Sequence, residues 1–151
     1  MIKCVTIDDE PLALKQLNKY VSQVPFLELV GSFTNSIEAS AFVSSESVDL
    51  IFVDINMPDL NGLDFVRSLV GHKMVVFTTA YSEYAIESYK LNAVDYLLKP
   101  ISFSDFLRAA NKCKHHHELL QTAAAQPSTI PATEQETEED AELTIENREY
   151  I

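Results

Sequence analysis

Hydrophobic positions along the first 120 residues fall into five short runs, separated by stretches in which apolar residues recur at helical spacing. Continuous apolar runs rich in Val, Ile and Phe are typical of strands that are buried on both faces of a sheet. The five runs cover residues 2–7, 27–33, 50–53, 74–78 and 94–98. We therefore expect five strands, each followed by a helix.

The intervening stretches carry apolar stripes that fit amphipathic helices. Asn35 or Ser36 precedes the second stripe and Ser102 the fifth, and residues of these types cap helix N-termini. The stripes comprise Leu14, Leu17, Val21 and Val24; Ile37, Ala41 and Phe42; Leu63, Val66, Leu69 and Val70; Tyr84, Ile86 and Tyr89; and Phe103, Phe106, Leu107 and Ala110. Strand and helix alternating five times predict an α/β fold with a parallel sheet covered by helices on both faces.

The composition changes after residue 120. Residues 121–142 contain Pro127 and Pro131, are rich in Ala, Thr and Glu and lack aromatic residues, so we expect an acidic flexible linker. Residues 143–151 regain alternation and an aromatic side chain, and they could begin a further domain. The predicted organisation is one domain over residues 1–120, a linker over 121–142 and the start of another domain over 143–151.

Charge, glycine and cysteine content exclude several functions. The net charge of −12 leaves no basic stripe for nucleic acid, and three glycines are too few for a glycine-rich phosphate loop. The chain shows neither a membrane-spanning apolar run nor the profile of a signal peptide. Its two cysteines lie far apart in sequence, so we expect no disulfide framework and a reducing compartment. We therefore expect a cytoplasmic protein that does not associate with membranes.

Acidic residues follow two of the predicted strands. Asp8 and Asp9 come after the first, Asp54 after the third, Thr79 after the fourth and Lys99 after the fifth. The carboxyl ends of parallel strands share one edge of a sheet, where ligands bind. Like charges about 4 Å apart cost on the order of 4 kcal/mol at a dielectric near 20. A divalent cation or Lys99 would offset that repulsion, although each acid alone also fits a solvated loop or a helix cap.

These residues together resemble the receiver domain of two-component response regulators over about residues 2–120. The resemblance rests on the acidic pair, on Asp54 with Met57, Pro58 and Gly62 behind it, and on the dipeptides Thr79-Ala80 and Lys99-Pro100. It implies a doubly wound, flavodoxin-like (βα)5 fold with five parallel strands in the order 2-1-3-4-5, the order of a known chemotaxis receiver.

The resemblance also implies a phosphoryl-accepting site. Asp54 matches the phosphoacceptor and Lys99 the lysine of the pattern. Asp9 matches a direct ligand of Mg2+, Asp8 a ligand acting through water, and the backbone carbonyl of Asn56 a further ligand. Lys99-Pro100 is expected to be a cis peptide, which costs only about 0.5–1 kcal/mol before proline. The implied cofactor is Mg2+ and the implied donor is a sensor histidine kinase.

Switching residues follow from the same resemblance. Thr79 matches the hydroxyl that moves toward the phosphoryl group, and Tyr96 matches the aromatic switch position. The side chains of Asn56 and Tyr81 match the two positions that admit or block the hydrolytic water and so set the phosphoryl lifetime. The implied response is a phosphorylation-dependent homodimer through the face built by the fourth helix, fifth strand and fifth helix.

Two segments carry a more specific resemblance. Residues 81–85 read Tyr-Ser-Glu-Tyr-Ala and residues 92–100 read Asn-Ala-Val-Asp-Tyr-Leu-Leu-Lys-Pro, and both resemble receivers of LytTR-type (LytR/AlgR) transcriptional regulators. This resemblance implies that residues 143–151 begin a truncated DNA-binding domain. DNA would then be contacted only through that missing domain.

The predicted function is a phosphoacceptor receiver that is a switch and not a metabolic enzyme, although it catalyses its own phosphotransfer and dephosphorylation. One alternative is an Mg2+-dependent phosphatase with an aspartyl-phosphate intermediate, but those enzymes place Asp-x-Asp after the first strand and need a cap domain. Another is a flavodoxin-like binding module that is never phosphorylated; the presence of Asp54 and Lys99 argues against it.

Overall fold

A computed structural model describes residues 1–125, with the side chains of residues 86, 88, 124 and 125 excepted. The chain divides into two units, Met1–His116 and His117–Ile151, and in the second unit residues 117–125 are helical. The predicted strand-like segment 143–151 and all but the first five residues of the predicted linker 121–142 lie outside the described residues.

The first unit alternates strands and helices in the predicted order. A single 3-10 turn, Ser82–Tyr84, precedes the fourth helix. The strands are β1 (Ile2–Ile7), β2 (Leu27–Phe33), β3 (Leu50–Asp54), β4 (Met74–Thr79) and β5 (Asp95–Leu98). The helices are α1 (Pro11–Ser22), α2 (Ser36–Ser45), α3 (Gly62–Arg67), α4 (Ala85–Lys90) and α5 (Phe103–Ala125).

The five strands form one parallel sheet in the order β2-β1-β3-β4-β5, as the family resemblance implied. The order reverses direction between β1 and β3, so a crevice opens at their carboxyl ends. Asp54 ends β3 and Thr79 ends β4, and both therefore point toward this edge of the sheet.

Alternate residues of the central strands enter two separate cores. Cys4 and Phe52 pack with Leu17 of α1 and Phe106 of α5 on one face of the sheet. Val53 packs with residues of α2 and α3 on the other face. Burial on both faces explains why the strands read as continuous apolar runs without polar alternation.

Polar caps fix several helix starts. Asn35 accepts a hydrogen bond from the Glu38 amide at 2.8 Å, and Ser102 accepts one from the Asp105 amide at 3.1 Å, as predicted for these two helices. The fifth helix was underestimated, because α5 continues to Ala125 and residues 121–125 are therefore helical rather than linker. Gln and Ala, which make up four of these five residues, are strong helix formers, so the helix extends beyond the apolar stripe.

Asp95 is a buried acid that was not predicted from the sequence. It is 4% exposed at the start of β5, with Lys112 Nζ 3.3 Å and Arg108 Nε 3.9 Å from its carboxylate. Both bases belong to α5, so the ion pairs join that helix to the edge strand. Within the described part of the chain, every helix is too short or too polar to cross a lipid bilayer.

Gly62, the first residue of α3, lies against the backbone behind Asp54. A Cβ atom at this position would overlap the carbonyl oxygen of Asp54 and lie 3.0 Å from the Cα atom of Ile55. The Gly62 amide also donates to the Ile55 carbonyl at 2.9 Å. Absence of a side chain therefore allows α3 to begin directly behind the end of β3.

Gly62→Ala is expected to lower the free energy of unfolding by about 1–3 kcal/mol, because backbone atoms cannot move aside as a flexible side chain could. Urea unfolding followed by circular dichroism measures the change. Val70→Ala, at a position 92% exposed, is the control and should leave the midpoint nearly unchanged. Equal stability of the Gly62 variant and wild type would contradict the close approach.

Candidate functional site

Three carboxylates meet at the carboxyl edge of the sheet, as the sequence predicted. Asp8 and Asp9 follow β1 and Asp54 ends β3, and one oxygen of each lies within 4.8 Å of the others. Asp8 is 2% exposed and Asp54 3% exposed, whereas Asp9 is open to solvent. Adjacency of β1 and β3 brings these acids together, because the strands are parallel and end at the same level.

Local hydrogen bonds orient the two buried carboxylates. Asp8 Oδ1 accepts from the Glu10 amide at 2.9 Å, and Asp54 Oδ1 accepts from the Asn56 amide at 3.3 Å. Each is a turn in which an aspartate side chain receives the amide two residues later, a geometry that Asp favours after a strand. The remaining oxygens, Asp8 Oδ2 and Asp54 Oδ2, face the ammonium of Lys99.

Lys99 lies closer to Asp8 than to Asp54. Its Nζ donates to Asp8 Oδ2 at 2.8 Å and stands 3.5 Å from Asp54 Oδ2. Burial lowers the pKa of Lys99, but the hydrogen bond from Lys99 to Asp8 and the negative charge of Asp54 outweigh burial, so the pKa is raised. The predicted cis peptide between Lys99 and Pro100 is present.

The ionised form of Asp54 is disfavoured in this site. Burial and the neighbouring Asp8 carboxylate raise its pKa from 3.8 to about 6, against the opposing effects of Lys99 and the Asn56 amide. Asp8 and Asp54 share one ammonium and Asp9 lies beside them, so the cluster carries a net negative charge that a cation would offset. A perturbed carboxyl in such a crevice is typical of a functional site.

The cluster fits a hard divalent cation. Carboxylate oxygens are the ligands that Mg2+ prefers, and it commonly takes one or two of them while keeping several waters. Asp8, Asp9 and Asp54 form the one such group of three found among residues 1–125. The unbalanced negative charge on Asp54 is the observation that supports a cation here.

We expect Asp54→Asn to raise the stability of the metal-free protein at pH 7.5 by up to about 3 kcal/mol, because a folded-state pKa near 6 against 3.8 means that folding disfavours the ionised acid. The folded state binds the proton more tightly, so the penalty is complete above pH 6 and disappears as the pH falls toward 4. Urea unfolding at several pH values with a chelator measures it.

Asp59→Asn is the matched control for this stability difference, since Asp59 is an exposed acid of the same loop. Saturating Mg2+ should remove the difference in stability between the Asp54 variant and the wild type, because the cation stabilises the ionised carboxylate of the wild type. A gain in stability of Asp54→Asn that is the same at pH 4 and pH 7.5 would contradict the charge-based explanation.

A chain of hydrogen bonds leads from the acidic cluster to the protein surface. The Thr79 hydroxyl donates to Asn56 Oδ1 at 2.9 Å and accepts from the Tyr81 amide at 3.1 Å. The Tyr96 hydroxyl donates to the Tyr81 carbonyl at 3.0 Å. The two predicted switch residues, Thr79 and Tyr96, therefore hold the two sides of the Tyr81 backbone.

The bond between Asn56 and Thr79 was not predicted from the sequence, from which the Asn56 side chain was assigned only to the access of water. The sequence did contain a clue to this bond: Asn56 follows β3 and Thr79 ends β4, and the two strands are neighbours. The Tyr81 side chain is 52% exposed, and its ring centroid lies 6.5 Å from that of Tyr84.

Comparisons with known proteins agree with this geometry. Residues 4–111 match the family described as the response regulator receiver domain. The chain is 31% identical to the sensory transduction protein LytR of Staphylococcus haemolyticus, over 99% of this chain and 62% of that protein. It is 42% identical to the transcriptional regulatory protein BtsR of Escherichia coli K12, over 67% of this chain and 43% of that protein. The chain thus spans about half the length of the relatives it matches.

Solved structures give the same fold. The response regulatory domain of mrkE from Klebsiella pneumoniae superposes with a TM-score of 0.73 at 32% identity, covering 78% of this chain and 99% of that one. The receiver domain of AraT, a response regulator from Geobacillus stearothermophilus, gives 0.72 at 28% identity, covering 80% and 98%. A sheet of order 2-1-3-4-5, an acidic cluster at its carboxyl edge and these matches together show that the chain belongs to the response regulator receiver domain family.

Proposed function

We propose that Asp54 accepts a phosphoryl group from the phosphohistidine of a sensor histidine kinase. The observation that supports this most strongly is the placement of a buried, poorly compensated carboxylate between two acids and one lysine. The experiment is incubation with Mg2+ and acetyl phosphate followed by intact mass measurement, which should show the gain of one phosphoryl group. Absence of any gain would reject the assignment.

In this proposal each side chain has a defined task. Asp54 attacks the phosphorus atom, the bond from the donor nitrogen to phosphorus breaks, and an acyl phosphate forms on Asp54. Lys99 reaches Asp54 and neutralises charge on the transferred group, while Asp8 holds the ammonium in place. Asp9, Asp54 and the Asn56 carbonyl would hold Mg2+ directly and Asp8 through water, and the cation would supply charge neutralisation.

The wider role rests on the relatives. We infer that this receiver belongs to a longer LytTR-type transcriptional regulator in which a separate domain contacts DNA. LytR is named a sensory transduction protein, and BtsR is named a transcriptional regulatory protein. The receiver is then a signalling switch, and its phosphotransfer and dephosphorylation serve that switch.

Free buried cysteines support a reducing, cytoplasmic setting.

Phosphorylation would act on the hydrogen bonds that surround Tyr81. A phosphoryl group adds acceptor oxygens and nearly two negative charges beside Thr79, so it competes with Asn56 for the Thr79 hydroxyl. Movement of the Thr79 hydroxyl toward the phosphoryl group also moves the oxygen that accepts from the Tyr81 amide, while Tyr96 holds the Tyr81 carbonyl. The switch would thereby reach the surface at α4 and β5.

We propose a phosphorylation-dependent homodimer through the face formed by α4, β5 and α5. Tyr89 is 60% exposed and Leu98 is 46% exposed on this side of the molecule. The test is analytical ultracentrifugation with and without beryllofluoride, where the expected result is a shift from monomer toward dimer. Asp54→Ala is the control and should not shift. Identical sedimentation in both conditions at high protein concentration would argue against the dimer.

Tyr81 is proposed to shield the acyl phosphate from water. We expect Tyr81→Glu to hydrolyse it about threefold faster or more, a barrier change under roughly 1 kcal/mol, because a carboxylate can orient water where the phenol cannot. Decay of isolated phosphoprotein at fixed Mg2+, followed by intact mass, gives the rate. Ile37→Glu, at an exposed position of α2 outside the proposed dimer face, is the control. An unchanged or slower decay in Tyr81→Glu would show that the ring does not shield the site.

A further inference from the structure

Two histidines from distant parts of the chain lie beside each other at the amino-terminal edge of the sheet. His72 precedes β4, and His116 belongs to α5. Their imidazole rings have centroids 6.2 Å apart, and the ring planes are inclined by 19°. His72 is exposed and His116 is half-buried, so solvent reaches the pair. The acidic cluster lies at the opposite, carboxyl edge of the sheet and is not part of this pair.

Packing of the core holds the two histidines in place. Met74, the first residue of β4, and Cys113 of α5 belong to the same buried cluster. His72 lies two residues before Met74. His116 lies three residues after Cys113, a spacing that places both on the same side of the helix. The Met74 amide also donates to the Asp49 carbonyl at 2.9 Å, which anchors the start of β4. The fold itself therefore brings the two imidazoles together.

The distance between the rings fits two ligands of one metal ion. With metal–nitrogen bonds of about 2.1 Å, two imidazoles on one ion have centroids about 5.2 Å apart at a tetrahedral angle and at most about 6.4 Å apart. The observed separation of 6.2 Å lies within this limit. The terminal side-chain torsion of histidine has broad minima, so both rings can turn toward a common ion. The pair therefore needs only a small adjustment to bind metal.

Nitrogen ligands select a different ion from the one that suits the acidic cluster. Imidazole suits Zn2+, Ni2+ and Cu2+, whereas carboxylates and water suit Mg2+. Among residues 1–125, no third His, Cys, Asp or Glu side chain joins His72 and His116 to complete a group of three. Water would therefore fill the remaining positions around the ion, in contrast to closed structural zinc sites with four protein ligands.

The charges around the pair do not oppose a cation. Lys73, next to His72, donates through its ammonium to the Val48 carbonyl at 3.1 Å. The Lys114 ammonium lies over the ring of Phe26, 5.2 Å from its centroid. Both neighbouring lysines are thus held by other groups. The chain also carries a net charge of −12, which raises the local concentration of cations.

We propose that His72 and His116 together bind one divalent transition-metal ion of the Zn2+, Ni2+ and Cu2+ class. The ion links the segment before β4 to α5 and so stabilises the folded receiver. Successive helix residues point about 100° apart, so the neighbouring His115 points away from this ion. The site differs from the acidic cluster in its ligand chemistry and in its place in the fold, and it does not depend on the proposed phosphotransfer.

Titration of the full chain with ZnCl2, without an affinity tag and with Mg2+ present in excess, tests the site directly. Long-range 1H–15N NMR of the histidine rings reads each imidazole separately, so zinc bound at the acidic cluster does not confuse the result. The ring nitrogens of His72 and His116 should shift together and saturably, whereas those of His115 should not. A shift of only one of the two rings, or of neither, would overturn the proposal.

Substitutions test whether the two rings share one ion. His72→Gln should weaken zinc binding at His116 at least about tenfold, and His116→Gln should do the same at His72, because a second ligand held nearby acts at high effective concentration. His72 is exposed, so its replacement leaves the core intact. His115→Gln is the matched control and should bind like the wild type. Zinc binding at His116 that is unchanged in His72→Gln would overturn the proposal.

Thermal unfolding tests the link between the two segments. ZnCl2 at about 100 times its Kd should raise the Tm of the wild type and of His115→Gln at least about 3 °C more than that of His72→Gln, because the ion binds the folded pair. Circular dichroism follows the transition. Equal rises in the wild type and His72→Gln would mean that the ion does not bridge the segments, and would overturn the proposal. Phosphorylation of Asp54 is scored separately with acetyl phosphate, and its failure would leave the zinc result unchanged.

Discussion

Asp54→Ala is expected to abolish the gain of one phosphoryl group from acetyl phosphate in the presence of Mg2+. Asp54 is the acid that stands 3.5 Å from Lys99 at the end of β3, and its amide partner Asn56 orients it toward the crevice. Removing the carboxylate removes the nucleophile itself, so no residual slow reaction at this site can remain. Intact mass measurement over time follows the reaction.

The controls for this prediction separate the nucleophile from nearby carboxylates. Asp59→Ala removes an exposed acid from the same loop and should be phosphorylated at the wild-type rate. Asp9→Ala should be phosphorylated more slowly, because the variant loses one carboxylate of the proposed Mg2+ site. Phosphorylation of Asp54→Ala at the wild-type rate would mean that another residue accepts the group.

Lys99→Met should slow phosphotransfer by about 10²–10³-fold, the usual effect of removing one preorganised charge from the site of a developing anion. The same substitution should lower the stability of the metal-free protein by about 3–5 kcal/mol, because two buried carboxylates lose their counter-ion. Methionine keeps much of the length of the lysine side chain, so the loss is mainly of charge. Stopped assays with intact mass and urea unfolding measure the two effects.

A double substitution distinguishes the two roles of this lysine. Asp8→Asn combined with Lys99→Met leaves fewer unpaired charges and should recover much of the lost stability without recovering phosphotransfer. Lys15→Met, at an exposed position of α1, should change neither quantity. Wild-type phosphotransfer by Lys99→Met would show that the ammonium near Asp54 does not act on the transferred group.

Local sequence pattern determined the elements of the receiver. Continuous apolar runs are buried on both faces, so all five strands occur where the pattern places them, each followed by a helix. Two predicted stripes were wrong in part: Ile37 of α2 is 67% exposed while Ala39 and Val43 are buried, and Val70 lies beyond the end of α3 and is 92% exposed. The end of α5 was a further departure, because residues 121–125 are mostly good helix formers without a clear apolar stripe. Periodicity reports a buried face, and an exposed helix end has none.

The sequence predicted which residues form the candidate site, but not how their side chains are arranged. Asp8, Asp54 and Lys99 follow strands, and carboxyl ends of parallel strands share one edge, so their gathering follows from topology. The order of the strands came from resemblance to a family, since periodicity does not say which strands are neighbours. The closer pairing of Lys99 with Asp8 than with Asp54 depends on atomic distances that no spacing in the sequence encodes.

The sequence by itself determined a five-fold repeat of strand and helix with acids at the strand ends, because hydrophobic periodicity and strand-end chemistry are local properties. Only the tertiary structure decided that Asn56 bonds Thr79, that Asp95 is buried beneath two bases of α5, and that the Thr78 hydroxyl is buried without a hydrogen-bond partner among the described residues. Each of these depends on side chains from elements distant in sequence, and their distances are set by how helices pack on the sheet.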